Sequence, residues 1–175
     1  MNVTLIGMAG AGKSYLGKKV ASELALDFVD VDQLLEAAYG KPIQSILDEL
    51  GEEKYIDTEA EMLVNGTSGR SEMLIAPGGS IIYRDATMRH VKDISKVVYL
   101  EVPFEVIQAR LANVPPRAVI GLGHKSLREL YDERHPLYVA HADIIVDAGS
   151  ESAEGIAARI TRSLGIDSAQ ASASL

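Results

Sequence analysis

A chain of 175 residues, 47% hydrophobic and 24% charged, has the composition of one ordinary globular domain, long enough to bury its own core. It has no cysteine, which excludes a disulfide framework and a cysteine-based zinc site. Its net charge of −8 argues against a broad nucleic-acid or membrane-binding surface, so a site for an anionic ligand must concentrate its own cations. In chain order, residues 2–6 are an apolar run that predicts a buried strand. The strand lacks the basic flank and cleavage site of a signal peptide, and no stretch approaches the length of a membrane span, so a cytoplasmic protein is expected.

Next comes Gly7-Met8-Ala9-Gly10-Ala11-Gly12-Lys13-Ser14, which fits G-x-x-x-x-G-K-[ST], the phosphate-binding P-loop. Leu16, Val20 and Leu24 then repeat at helical spacing, predicting a helix over 13–25. Strand, loop and helix are the context the motif needs. Glycines let consecutive N–H groups converge on a phosphate cluster, and the helix N-terminus adds its positive dipole end. Gly10, Ala11, Gly12, Lys13, Ser14 and Leu16 are the expected nucleotide residues. Lys13 is expected on the β- and γ-phosphates of ATP, and Ser14 on Mg²⁺.

Further strands are predicted at 27–29, 72–76, 96–102 and 142–146, and helices at 33–39, 43–50, 52–65, 104–111, 125–140 and 152–164. Strand–helix alternation implies a parallel sheet covered on both faces, a three-layer α/β sandwich. The loop 113–123 carries Pro115, Pro116, Gly121 and Gly123 and is a candidate lid. The Ser/Ala-rich tail 167–175 is expected to fray.

Asp30-Val31-Asp32 closes the second strand, and alternation puts both carboxylates on one side at the end where α/β proteins bind ligands. Asp30 would help hold Mg²⁺, and Asp32 would accept or orient the proton of an attacking hydroxyl. A helix N-cap is the plain alternative. Gly78-Gly79 allows close backbone approach to a ligand, although a simple tight turn looks the same. The four histidines, at 90, 124, 135 and 141, show no metal-binding spacing.

Phe28-Val29-Asp30-Val31-Asp32 resembles the corresponding segment of shikimate kinases. The resemblance continues through Gly40-Lys41-Pro42-Ile43, Ile46-Leu47, Gly51-Glu52-Glu53-Lys54-Tyr55, Glu59, Pro77-Gly78-Gly79-Ser80, Pro116-Arg117 and Arg134-His135-Pro136-Leu137-Tyr138. It implies a P-loop NTPase sandwich of the nucleoside-monophosphate-kinase type, with a five-stranded parallel sheet. It implies one kinase domain over 1–166, a substrate-binding region near 32–60, a lid near 112–124 and transfer of the γ-phosphate of ATP to a ring hydroxyl. Carried over by position, Asp32 resembles the residue on the substrate hydroxyls, Gly78 and Gly79 those whose amides touch substrate, and Arg134 the arginine on its carboxylate. Arg117 resembles the lid arginine that closes over the phosphates, and Arg110 one that stacks on adenine. The implied partner is a small molecule, shikimate or a similar hydroxylated acid, handled by a monomer without nucleic acid or membrane.

The chain departs from that pattern at defined places. Tyr55-Ile56 stands where shikimate kinases typically read Phe-Arg, so one of two arginines on the substrate carboxylate is replaced by a residue without charge or donor. Glu59 matches the glutamate that supports that arginine; without it, Glu59 is expected to be solvated or to accept bonds from a different substrate. Ser80 replaces a third glycine, and Arg117-Ala118-Val119-Ile120 an Arg-Pro-Leu-Leu lid. A lost charged hydrogen bond costs about 1.5–3 kcal/mol, roughly 10- to 100-fold in affinity. Two other readings stay open: a kinase for another polyol or sugar acid, and an ATP-binding module with weak catalysis.

Overall fold

The computed structural model describes residues 1–113 and 118–165. Five strands form one sheet: β1 (Val3–Ile6), β2 (Asp27–Asp30), β3 (Met73–Ala76), β4 (Lys96–Glu101) and β5 (Ile144–Asp147). All neighbours are parallel, in the order β2-β3-β1-β4-β5. The central strands are apolar on both faces, and Val3, Leu5, Leu74, Ile75, Val97 and Val98 are fully buried, as strands covered on both sides must be.

Among the described residues eight α-helices accompany them: α1 (Lys13–Glu23), α2 (Val31–Tyr39), α3 (Ile43–Leu50), α4 (Glu52–Thr67), α5 (Asp85–Ile94), α6 (Phe104–Ala112), α7 (Leu127–His141) and α8 (Ala153–Ser163). A 3₁₀ turn, Ile81–Tyr83, precedes α5. The predicted sheet and fold class are those observed. Neither α5 nor the turn was predicted, although Met88 and Val91 of α5 are buried at helical spacing. Helix α1 ends earlier than predicted, with Ala25 at a left-handed φ of 52°. No helix among the described residues is long and apolar enough to cross a membrane.

Three features of the fold position the site. Register puts Asp30 opposite Ala76, so β2 and β3 end level and Asp30 lies beside the turn that follows β3. Helices α2, α3 and α4 pack on one another as an arm over residues 31–67, which brings α4 above that turn. Helix α7 contains Pro136, which cannot donate a helical hydrogen bond. It persists because a capping box of Ser126 and Glu129 starts it and because Arg134 and Tyr138, either side of the proline, are buried.

Candidate active site

The carboxyl ends of β1, β2 and β3 open onto one cleft of about 670 Å³. The P-loop forms its nucleotide end. Gly12 has a φ of 96°, which a side chain rarely adopts, and this turns the chain into α1. Gly10, Gly12, Lys13 and Ser14 border the cleft. Ala11 and Leu16 lie beneath it: Ala11 is 1% exposed and Leu16 3%, both in the apolar core. Leu16 therefore supports the loop from below, where an apolar residue on the inner face of α1 belongs, and does not face the nucleotide end.

The Lys13 ammonium donates to the carbonyls of Gly7 at 2.8 Å and Met8 at 3.1 Å. Burial lowers its pKa to about 8, against the opposing pull of Asp32 and Glu59. Arg110 of α6 is not a loose surface cation. It donates to the Gly10 carbonyl at 3.1 Å and the Ala148 carbonyl at 3.2 Å, tying the P-loop to the segment after β5. It borders the same end of the cleft.

The two aspartates meet at the cleft by a different route from the one the sequence suggests. Strand β2 stops at Asp30, whose Oδ1 accepts from the amides of Asp32 at 3.1 Å and Gln33 at 3.4 Å. Asp30 is thus the N-cap of α2, and Asp32 sits in that helix's first turn. Strand alternation does not align them; the strand-to-helix corner does. Both still border the cleft. No group of three or more acids and histidines that could hold a metal occurs among the described residues. The Ser14 hydroxyl and Asp30 carboxylate fit a magnesium ion only if phosphate oxygens and water complete its shell, the usual case for Mg²⁺.

The opposite end of the cleft is built by α4, the turn after β3 and α7. Glu59 of α4 is fully buried. Its two oxygens accept from the Gly78 amide at 2.6 Å and the Ser80 hydroxyl at 3.0 Å. Glu59 is therefore not solvated: it borders the cleft with each oxygen already accepting one bond, and the Gly78 amide expected to touch substrate donates to it. A Cβ at Gly78 would lie 2.2 Å from Glu59 Oε1, so any larger residue there would displace the Glu59 carboxylate. Burial, and then Asp32, raise the Glu59 pKa to about 7, with both hydrogen bonds pulling the other way. Ile56, one turn earlier, is 3% exposed and belongs to the core.

Arg134 is 1% exposed. Its guanidinium donates to the Tyr83 hydroxyl at 3.0 Å and the Ile120 carbonyl at 2.7 Å, and it lies over the Tyr83 ring. Gly79 accepts from the Tyr138 hydroxyl at 2.7 Å and borders the cleft beside Arg134. Arg117 lies outside the described residues. The segment after it closes one wall: Val119 and Ile120 are buried there, and the Gly121 amide donates to Glu52 of α4 at 2.8 Å. Tyr83 carries no signal in the sequence, and Glu52 shows there only as part of the segment 51–55. The partners of Tyr83 and Glu52 lie 51 and 69 residues away, so only the fold could pair them.

The family model for shikimate kinase matches residues 9–165. The chain belongs to the shikimate kinase family. It is 34% identical to the shikimate kinase of Thermodesulfovibrio yellowstonii over 92% of this chain and 93% of that one. It is 33% identical to that of Francisella tularensis subsp. novicida over 91% and 92%. Among solved structures, Acinetobacter baumannii shikimate kinase in complex with shikimate superimposes with a TM-score of 0.81 at 30% identity, covering 93% of this chain and 92% of that one. Membership makes the chain a phosphotransferase with an alcohol acceptor. In this family member, the arm and the turn after β3 meet through Glu59 and Ser80, with a buried isoleucine at position 56.

Proposed function

We propose that this protein transfers the γ-phosphate of ATP to a hydroxyl of shikimate. One observation carries the reading: a P-loop lysine, the Asp32 carboxylate and the Arg134 guanidinium border a single cleft of about 670 Å³, so donor and acceptor fit end to end. ATP occupies the P-loop end. Its phosphates draw Lys13 away from the Gly7 and Met8 carbonyls. Ser14 and Asp30 would hold a Mg²⁺ ion, which would supply charge neutralisation for the phosphates. Asp32 orients the attacking hydroxyl and accepts its proton, and Arg134 takes the acceptor's carboxylate in a planar fork. Arg117, closing from the lid, adds positive charge on the transferring group and excludes water.

Steady-state kinetics with shikimate as acceptor test the reading. Wild type should release ADP only when shikimate is present. Asp32→Asn should lose about 10²- to 10⁴-fold in turnover and keep its ATP affinity. ADP release indifferent to shikimate would overturn it. Ile56 supports a second reading, in which another hydroxylated acid with one anionic group is the acceptor, because among the described residues the acceptor end then offers Arg134 without a second guanidinium. A panel of polyols and sugar acids in the same assay separates the two.

A further inference from the structure

Glu59 presents an unusual balance of forces. It is a fully buried carboxylate held by one backbone amide and one hydroxyl. A buried carboxylate ordinarily needs a cation or several donors to offset its desolvation. The groups that face it are Lys13 of α1, Asp32 of α2, Tyr55 of its own helix and Tyr138 of α7. Lys13 spends its hydrogen bonds on the P-loop, and the Asp32 charge opposes ionisation of Glu59.

Ser80 is the partner that invites explanation. It precedes the 3₁₀ turn Ile81–Tyr83 and makes no side-chain capping bond there. Its hydroxyl, 4% exposed with the rest of the residue, turns to Glu59. Ile56 lies three residues before Glu59 on the same face of α4, where a long cationic side chain would reach the carboxylate.

We propose that Ser80 is a positioning residue of the acceptor site: its hydroxyl fixes the Glu59 carboxylate against the Gly78 amide, and so sets the 78–79 wall beside Arg134 without a guanidinium at position 56. The inference rests on the proposed acceptor chemistry only for its kinetic arm. Loss of the hydroxyl leaves Glu59 with a single donor. The carboxylate then protonates more readily, swings from Gly78, and lets the wall next to Arg134 relax.

The test uses Ser80→Ala, Ser80→Thr and Ile56→Arg/Ser80→Ala beside wild type and Ile56→Arg. The first arm titrates the Glu59 side-chain carboxyl by ¹³C NMR in the protein alone. Ser80→Ala should move its midpoint up by about one pH unit, and Ser80→Thr, which keeps the hydroxyl, should return it toward wild type. The second arm reads shikimate kinetics. Ser80→Ala should raise the shikimate KM about 10-fold with the ATP KM unchanged, and the acid limb of kcat/KM should follow the NMR midpoint. In the Ile56→Arg background the same substitution should cost less, because the guanidinium supplies the missing donor. An unmoved Glu59 midpoint in Ser80→Ala overturns the proposal whatever the acceptor is. An unchanged shikimate KM, or an equal cost in both backgrounds, overturns it too. A wild type inert to shikimate overturns the proposed function instead, and the NMR arm still decides the role of Ser80.

Discussion

At the scale of single residues, Lys13 joins structure to chemistry most directly. Burial holds it near a pKa of about 8, and its ammonium is parked on two loop carbonyls. Polyphosphate supplies the charge that the buried site lacks, so binding must raise that pKa. ATP binding measured at pH 8.5 should therefore take up most of one proton per site, and at pH 6.5 almost none from this group. Calorimetry in two buffers of different ionisation enthalpy reads the number. Equal proton uptake at both pH values would remove Lys13 as the linked group. The role of Lys13 was legible because its motif is contiguous. Asp30 and Asp32 were legible as a pair but not in their geometry, since period-2 alternation cannot foresee that the strand stops at the first of them. The Glu59–Ser80 contact was not legible at all: it joins residues 21 apart whose meeting depends on where α4 crosses the end of β3.

At the scale of elements, the segment 118–121 belongs to the site as much as the helices do. Arg134 holds its Ile120 carbonyl and Glu52 its Gly121 amide. These two bonds pin residues 120–121 to the arm and to α7, while residues 114–117 lie outside the described part of the chain. Glu52→Ala removes one pin from a half-buried position. It should raise ATP hydrolysis in the absence of acceptor relative to phosphoryl transfer, because a loosened wall admits water. A several-fold rise in that ratio is expected, measured as ADP release with and without acceptor. An unchanged ratio would show that the pin does not matter to closure. The strands and most helices could be read from apolar spacing. Helix α5 is not evident in the sequence although its buried Met88 and Val91 carry the period, because charged residues fill half of its other positions.

For the whole molecule, the buried Glu59 sets a pH dependence with a definite sign. Its folded pKa of about 7 lies above the ordinary carboxylate value of 4.5, so between those values the native state holds a proton that the unfolded chain has already released. That contribution is complete below about 4.5 and is lost as pH rises through about 7. Chemical denaturation of wild type and Glu59→Gln at pH 5 and pH 8 isolates it. Wild type should lose up to about 3 kcal/mol relative to the variant across that range, a large share of a typical domain's stability. A constant difference between the two proteins would mean that Glu59 titrates normally. The fold accepts this cost in the position that ties α4 to the end of β3. The parallel sheet makes that junction possible, since β2 and β3 end level and bring the arm, the turn and α7 to one place.

The central claim is transfer of phosphate to a shikimate hydroxyl, and ³¹P NMR of protein, Mg²⁺, ATP and shikimate observes it directly. A phosphomonoester signal growing in step with ADP is the expected result. Inorganic phosphate as the sole product, or unchanged ATP beside a protein that binds it, would contradict the account.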